Sequence, residues 1–258
     1  MSDAPEALLE LAGAVAREAG AQLLGAFGGP AHGVEAKSTP TDLVSEADEA
    51  AQDLIRARLS AARPDDGFLG EEGGDEAGTT GLRWIVDPLD GTTNFLFGHP
   101  QWAVSIAVED ADGALVGVVY DPPRGELWAA VRGGRPLLDG SRVARERPER
   151  LAEALVATGF GYDAEVRRAQ GATVAALLPD VRDVRRFGAA ALDLAWTAAG
   201  RYDAYYERGV KPWDVAAGAL LCVCAGLVVE PLAPAPPQGA GLLIATPGLI
   251  DALRERVA

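Results

Sequence analysis

Several residue types that carry much of enzyme chemistry are scarce in these 258 residues: there are two cysteines, two histidines and, among 23 basic residues, only two lysines. Two cysteines cannot build a disulfide framework. Cys222 and Cys224 fall two positions apart in a predicted helix, point to nearly opposite sides and cannot share an ion; they read as small hydrophobes. His32 and His99 lie in Gly/Pro loops and are not read as catalytic. Long hydrophobic runs are also missing. The longest uncharged one, Val215 to Val229, is interrupted by glycine and falls short of the ~20 residues that a span requires. Asp3 and Glu6 stand where a signal peptide would carry basic residues. There is no G-x-S-x-G, H-E-x-x-H, C-x-x-C or Walker A motif, and no G-x-G-x-x-G opens a helix. These absences predict a soluble, cytoplasmic chain that does not work by the commonest nucleophile, zinc or dinucleotide chemistries.

What is present is acid. Formal net charge is −15, with 48% hydrophobic and 24% charged residues. That balance is an ordinary globule's, but it argues against nucleic acid or an anionic membrane as the main partner. The acidity is uneven: residues 1–100 hold 18 acids against 6 bases, residues 101–258 hold 20 against 17. Lys37 and Lys211 mark two places where the preference for arginine gives way, as it would where a compact ammonium is needed.

Leu8, Leu11, Val15, Ala19, Leu23 and Phe27 recur at helical spacing, so residues 5–27 predict an amphipathic helix. A second helix is predicted from Ser45 to Ala62, with Asp48 as a capping-box acid. Gly73–Gly81 reads as a polar loop, and Leu82–Val86 as a strand ending at Asp87-Pro88. Residues 102–109, 115–120 and 126–131 read as an antiparallel meander separated by Asp-Gly and Pro-rich turns. From about residue 150 strands and helices alternate: strands at 154–158, 181–185, 203–206, 227–230 and 242–245, helices at 165–178, 189–199, 213–225 and 249–257. The expected architecture is a layered α/β chain, with a helix-plus-antiparallel-sheet half over 1–145 and an α/β half over 146–258.

The distinctive stretch runs from Trp84 to Phe95. A strand delivers Asp87, Pro88 fixes the turn, and Asp90 follows three residues on, with the Leu89 carbonyl between them. Gly91 and Thr92 then open a turn whose amides suit an anion. Glu71-Glu72 ends another apolar stretch, and Asp214 opens a predicted helix after Pro212. Glu71, Asp87, Asp90 and Asp214 together offer only oxygen ligands, the set that selects Mg²⁺ or Mn²⁺ over Zn²⁺. Without a cation, carboxylates ~4 Å apart repel by ~4 kcal/mol at an effective dielectric of 20.

Asp87–Phe95 and Lys211–Gly218 resemble the two signature segments of the inositol monophosphatase family; Gly70-Glu71-Glu72 and Lys37–Val44 are similar to its remaining blocks, in family order. The resemblance implies a layered αβαβα sandwich of the inositol monophosphatase/fructose bisphosphatase type. It implies a first Mg²⁺ on Glu71, Asp87 and the Leu89 carbonyl, a second on Asp87, Asp90 and Asp214, and a weaker third on Glu71, with Mn²⁺ as a substitute. Thr92 with Glu71 would orient the attacking water. Gly91 and Thr92 amides would hold phosphate, while Asp90, Glu207 and the Ala190 amide would contact a small phosphorylated polyol. Lys37 and Asp48 are candidate supporting residues. A homodimer and inhibition by Li⁺ are further implications. The expected reaction is hydrolysis of inositol 1-phosphate or a similar ester. Fructose 1,6-bisphosphate, histidinol phosphate and nucleotide phosphates are alternatives within the superfamily, and a non-catalytic regulatory protein is the rival outside it. Ala189 stands where the family often carries Ser or Thr, which removes an expected N-cap.

Overall fold

The computed structural model describes residues 4–29, 33–37, 43–143 and 145–258. His32 and residues 38–42 of the Lys37–Val44 block lie outside them. Helix α1 (Pro5–Ala26) buries Leu8, Ala12, Val15, Ala19 and Leu23 on one stripe, and Phe27 leaves it in an extended conformation. A ribbon of β1 (Glu35–Ala36) and β2 (Leu43–Val44) leads into α2 (Glu46–Ala62). The Ser45 N–H and hydroxyl both donate to Asp48 Oδ2, at 3.0 and 2.6 Å, so the predicted capping acid does tie the helix entry.

The first sheet has eight strands. They are β3 (Gly67–Gly70), β4 (Asp75–Glu76), β5 (Arg83–Asp90), β6 (Ala103–Asp110), β7 (Gly113–Asp121), β8 (Glu126–Val131), β9 (Leu137–Leu138) and β10 (Ser141–Arg142). Their spatial order is β10-β9-β8-β7-β6-β5-β3-β4. The predicted meander is β6–β8, with β5 antiparallel beside β6 and β3 parallel to β5. Two expectations need correction. The Gly73–Gly81 loop contains the short edge strand β4. The strand expected to stop at Val86 continues to Asp90 through an irregularity between Asp87 and Asp90. That shift in register suits Pro88, which cannot donate to the ladder, and Gly91 (φ 93°) then turns the chain into the five-residue helix α3 (Thr92–Leu96).

The second half alternates as predicted: β11 (Leu155–Thr158), α4 (Ala164–Leu177), β12 (Asp183–Arg185), α5 (Ala190–Ala199), β13 (Ala204–Arg208), α6 (Pro212–Cys224), β14 (Val228–Leu232), β15 (Gly241–Ala245) and α7 (Ile250–Val257). The sheet order is β12-β11-β13-β15-β14, parallel across the first three strands and antiparallel beyond.

Strand alternation assigns the layers. Trp84, Val86, Val104 and Ile106 pack with α1 and α2 on one face of the large sheet. Ile85, Ala107 and Val119 on the other face pack with Leu192, Leu194, Leu220 and Leu221 of α5 and α6, and these also meet Ala157, Tyr205 and Ile244 of the small sheet. The outward residues Val156, Ala204 and Leu243 pack with Leu177, Leu253 and Val257 of α4 and α7. The result is the expected αβαβα layering, with α5 and α6 shared by both sheets. Gly218 makes that middle layer close: a Cβ there would lie 2.4 Å from Leu194 Cβ. Among the described residues, no helix is long and apolar enough to cross a membrane.

Candidate functional site

A cavity of about 450 Å³ opens where the end of β5 meets the entries of α5 and α6. Lys37, Glu71, Asp87, Leu89, Asp90, Gly91, Thr92, Ala190, Glu207 and Asp214 all line it. Residues separated by up to 177 positions in the chain are thus gathered at one place. Asp48 is not among its lining residues but reaches it through a neighbour: the Thr92 hydroxyl lies 2.7 Å from Asp48 Oδ1 and 3.1 Å from the Leu89 carbonyl. Asp48 is 1% exposed. Burial raises its pKa more than the hydrogen bonds from Ser45 and Thr92 lower it.

Each carboxylate is held from behind. Asp87, 2% exposed, accepts the Leu89 N–H at 3.0 Å. Asp214 accepts the Lys211 N–H at 2.6 Å. Asp90 takes the opening of α5: Oδ1 accepts from Ala190 N–H at 2.9 Å, and Oδ2 from Ala191 and Leu192 N–H at 2.8 and 3.3 Å. Ala189 itself supplies no cap; the cap comes from a strand of the other sheet. In this structure the Ala190 amide expected to meet a polyol is therefore engaged by Asp90. Lys37 donates to Glu71 at 2.9 Å and also to Glu72. Those two carboxylates raise its pKa against the opposing effect of burial. Burial is also the main reason the Glu72 carboxyl rises to about 7.

The electrostatics follow from crowding like charges. The Asp87 carboxyl lies well above the usual range, first through burial, then through Glu71, Asp90 and Asp214. Asp90 is raised by burial despite its three amides, and Asp214 by burial despite the Lys211 amide. Among the described residues, no three acidic, His or Cys side chains stand closed into a metal cage; Glu71 leans to Lys37 and Asp90 to its helix. The donor set nonetheless fits a hard divalent cation. It consists of oxygen atoms, carries excess negative charge, and has a repulsion that such an ion would relieve.

The cavity lining also includes Glu207, whose Oε2 accepts from Tyr205 Oη at 2.6 Å. Burial raises the Glu207 carboxyl, while Tyr205 and Arg186 oppose that rise. Asp193, 1% exposed on the first turn of α5, is raised by burial and by the charges of Asp90 and Glu207. Sequence reasoning singled out neither Tyr205 nor Asp193, because each sits in a run that reads as core. Lys211, exposed, also lines the cavity, so both of the chain's lysines do. Cys222 and Cys224 lie away from it, their thiols meeting the Leu194 and Val131 carbonyls. His99 is not among its lining residues either.

Comparison with known proteins gives concordant matches. The model of the inositol monophosphatase family matches residues 4–255. A protein named inositol-1-monophosphatase from Mycobacterium leprae (strain TN) is 46% identical over 241 residues, covering 89% of this chain and 82% of its own. A protein named Nus factor SuhB from Xylella fastidiosa (strain Temecula1 / ATCC 700964) is 45% identical over 186 residues, covering 72% and 67%. Among solved structures, the extragenic suppressor protein suhB from Bartonella henselae superposes with a TM-score of 0.89 at 35% identity, covering 97% of this chain and 98% of that one.

Proposed function

Because the chain belongs to the inositol monophosphatase family, we propose that it is a Mg²⁺-dependent phosphomonoesterase acting on inositol 1-phosphate or a similar small polyol phosphate. The observation that carries this reading is the shared cavity of Glu71, Asp87, Asp90, Asp214 and Thr92, with the Thr92 hydroxyl anchored on Asp48. Glu71, Asp87, Asp90, Asp214 and the Leu89 carbonyl would hold two to three Mg²⁺, with Mn²⁺ able to substitute. Bound divalent ions supply the positive charge that stabilises phosphoryl transfer and acidifies water.

The chain's own residues do the rest. Thr92, its hydroxyl proton directed to Asp48, presents lone pairs toward the cavity and with Glu71 orients the attacking water. The Gly91 and Thr92 amides face the phosphate. Asp90 and Glu207 accept hydrogen bonds from polyol hydroxyls. The Ala190 amide helps by fixing Asp90, and Lys37 tempers the charge of Glu71. A cytoplasmic homodimer sensitive to Li⁺ completes the proposal.

Phosphate release from a panel of inositol, fructose, glycerol, histidinol and nucleotide phosphates tests it, with and without chelator. Mg²⁺-dependent release, fastest from the inositol ester, is expected. No release from any ester at saturating Mg²⁺ would overturn the reading. A second reading, a non-catalytic regulatory protein, draws on the similarity to the protein named Nus factor SuhB; it predicts that empty panel.

A further inference from the structure

Tyr205 and Glu207 lie two apart on β13, so both point to the inner face of the small sheet. Tyr205 is fully buried, yet its hydroxyl is not orphaned: it donates to Glu207 Oε2 at 2.6 Å, a short charge-assisted bond. The other side of the carboxylate is fixed by space. A Cβ on Gly159 would fall 2.0–2.1 Å from Glu207 Oε2, Oε1 and Cδ, so the carboxylate rests against bare backbone. Both Glu207 and Gly159 line the cavity.

We infer that Tyr205 is a positioning residue: its hydroxyl fixes the Glu207 carboxylate as a hydrogen-bond acceptor and so makes the site select esters with hydroxylated leaving groups. The inference rests on the proposed phosphatase reading and deepens it. With one oxygen satisfied by Tyr205, the other is left to accept from a substrate hydroxyl. Without that donor, the half-buried Glu207 carboxylate is incompletely solvated and either turns away or takes a proton, and in both cases the acceptor is lost. A leaving group without hydroxyls makes no use of it.

The test compares kcat/KM for inositol 1-phosphate with that for phenyl phosphate in wild type, Tyr205→Phe, Glu207→Ala and the double variant. The ratio of the two esters is read on the same active molecules, so partial unfolding cancels. Tyr205→Phe should lower the ratio about tenfold, through KM for the inositol ester, and should lower it no further in the Glu207→Ala background. An unchanged ratio, an equal loss on both esters, or the same loss without Glu207 would overturn the inference.

A second measurement separates this result from failure of the phosphatase reading: myo-inositol titrated into metal-free protein and followed by NMR. Tyr205→Phe should weaken binding about tenfold even if no ester is hydrolysed. Equal binding by both proteins, or none by wild type, counts against Tyr205.

Discussion

Asp90, the last residue of β5, caps the helix that begins at Ala190, accepting three successive N–H groups from a segment 100 residues away. Asp87, three residues earlier, accepts one. The two acids therefore respond differently to loss of charge. Asp87→Asn keeps a carbonyl for the Leu89 N–H and removes a repelled carboxylate, so the metal-free variant should melt higher than wild type, by a few degrees. Asp90→Asn presents an amide group to three donors and should melt below Asp87→Asn. Mg²⁺ should raise the melting temperature of wild type and raise it less in either variant. Both variants should lose phosphate release by at least 100-fold. Calorimetry with and without Mg²⁺ reads the order.

Thr92 is the hydroxyl that Asp48 holds. Thr92→Ala leaves a buried carboxylate oxygen short of a donor, at about 1–3 kcal/mol, and removes the water-orienting group, for a fall of about 10²–10⁴ in kcat. Thr92→Ser should restore most of both. If Ser recovers stability but not turnover, the proposed role of the hydroxyl is wrong.

Gly218 sets the closeness of the middle layer. A methyl there would meet Leu194 Cβ at 2.4 Å, inside a helix-to-helix contact that has no open space to yield. Gly218→Ala should therefore cost about 1–3 kcal/mol despite the better helix propensity of alanine. Denaturant unfolding measures this. No loss would mean that α5 and α6 separate more readily than their packing indicates.

Asp66 gives a pH signature away from the cavity. Burial tends to raise its carboxyl, but hydrogen bonds from Arg63, Thr80 and Trp84 together outweigh burial and hold it below the ordinary value. A carboxyl depressed in the folded state stabilises the fold above its unfolded pKa of about 3.9, and the benefit is lost as pH falls through the folded value. Asp66→Asn should melt lower than wild type at pH 7, and the gap should narrow below about pH 4. A gap constant from pH 7 to pH 3 would contradict this.

The long elements were legible because their periods were clean: residues 150–257 alternate between strand and helix patterns, and the observed elements begin and end within about two positions of those expected. The two-residue strands β1, β2, β4, β9 and β10 were not, since two residues carry no period. Strand β3 was missed because Gly67-Phe-Leu-Gly70 is short and flanked by glycine and acids. The continuation of β5 to Asp90 was hidden by Pro88, which ends a regular ladder but is tolerated at a bulge. In the cavity, the carboxylates announced themselves through turn chemistry and charge. Of their supports, Lys37 and Asp48 were named from the sequence and the others were not. The hold of Ala190–Leu192 on Asp90 joins distant segments through backbone groups that no residue type marks, and Tyr205 looks like any aromatic in a buried strand.

The chain's scarcity of lysine has a practical corollary. Both side-chain amines face the cavity, Lys37 clasped by two carboxylates and Lys211 exposed at the entry of α6. Once the chain's α-amine, the readiest to react at neutral pH, is set apart by peptide mass, an amine-selective label therefore reports on the mouth of this one hollow, chiefly through Lys211, because Lys37 is held charged by its two carboxylates. Its reaction rate becomes a gauge of whether a small molecule has entered, readable by mass alone and before any turnover is known.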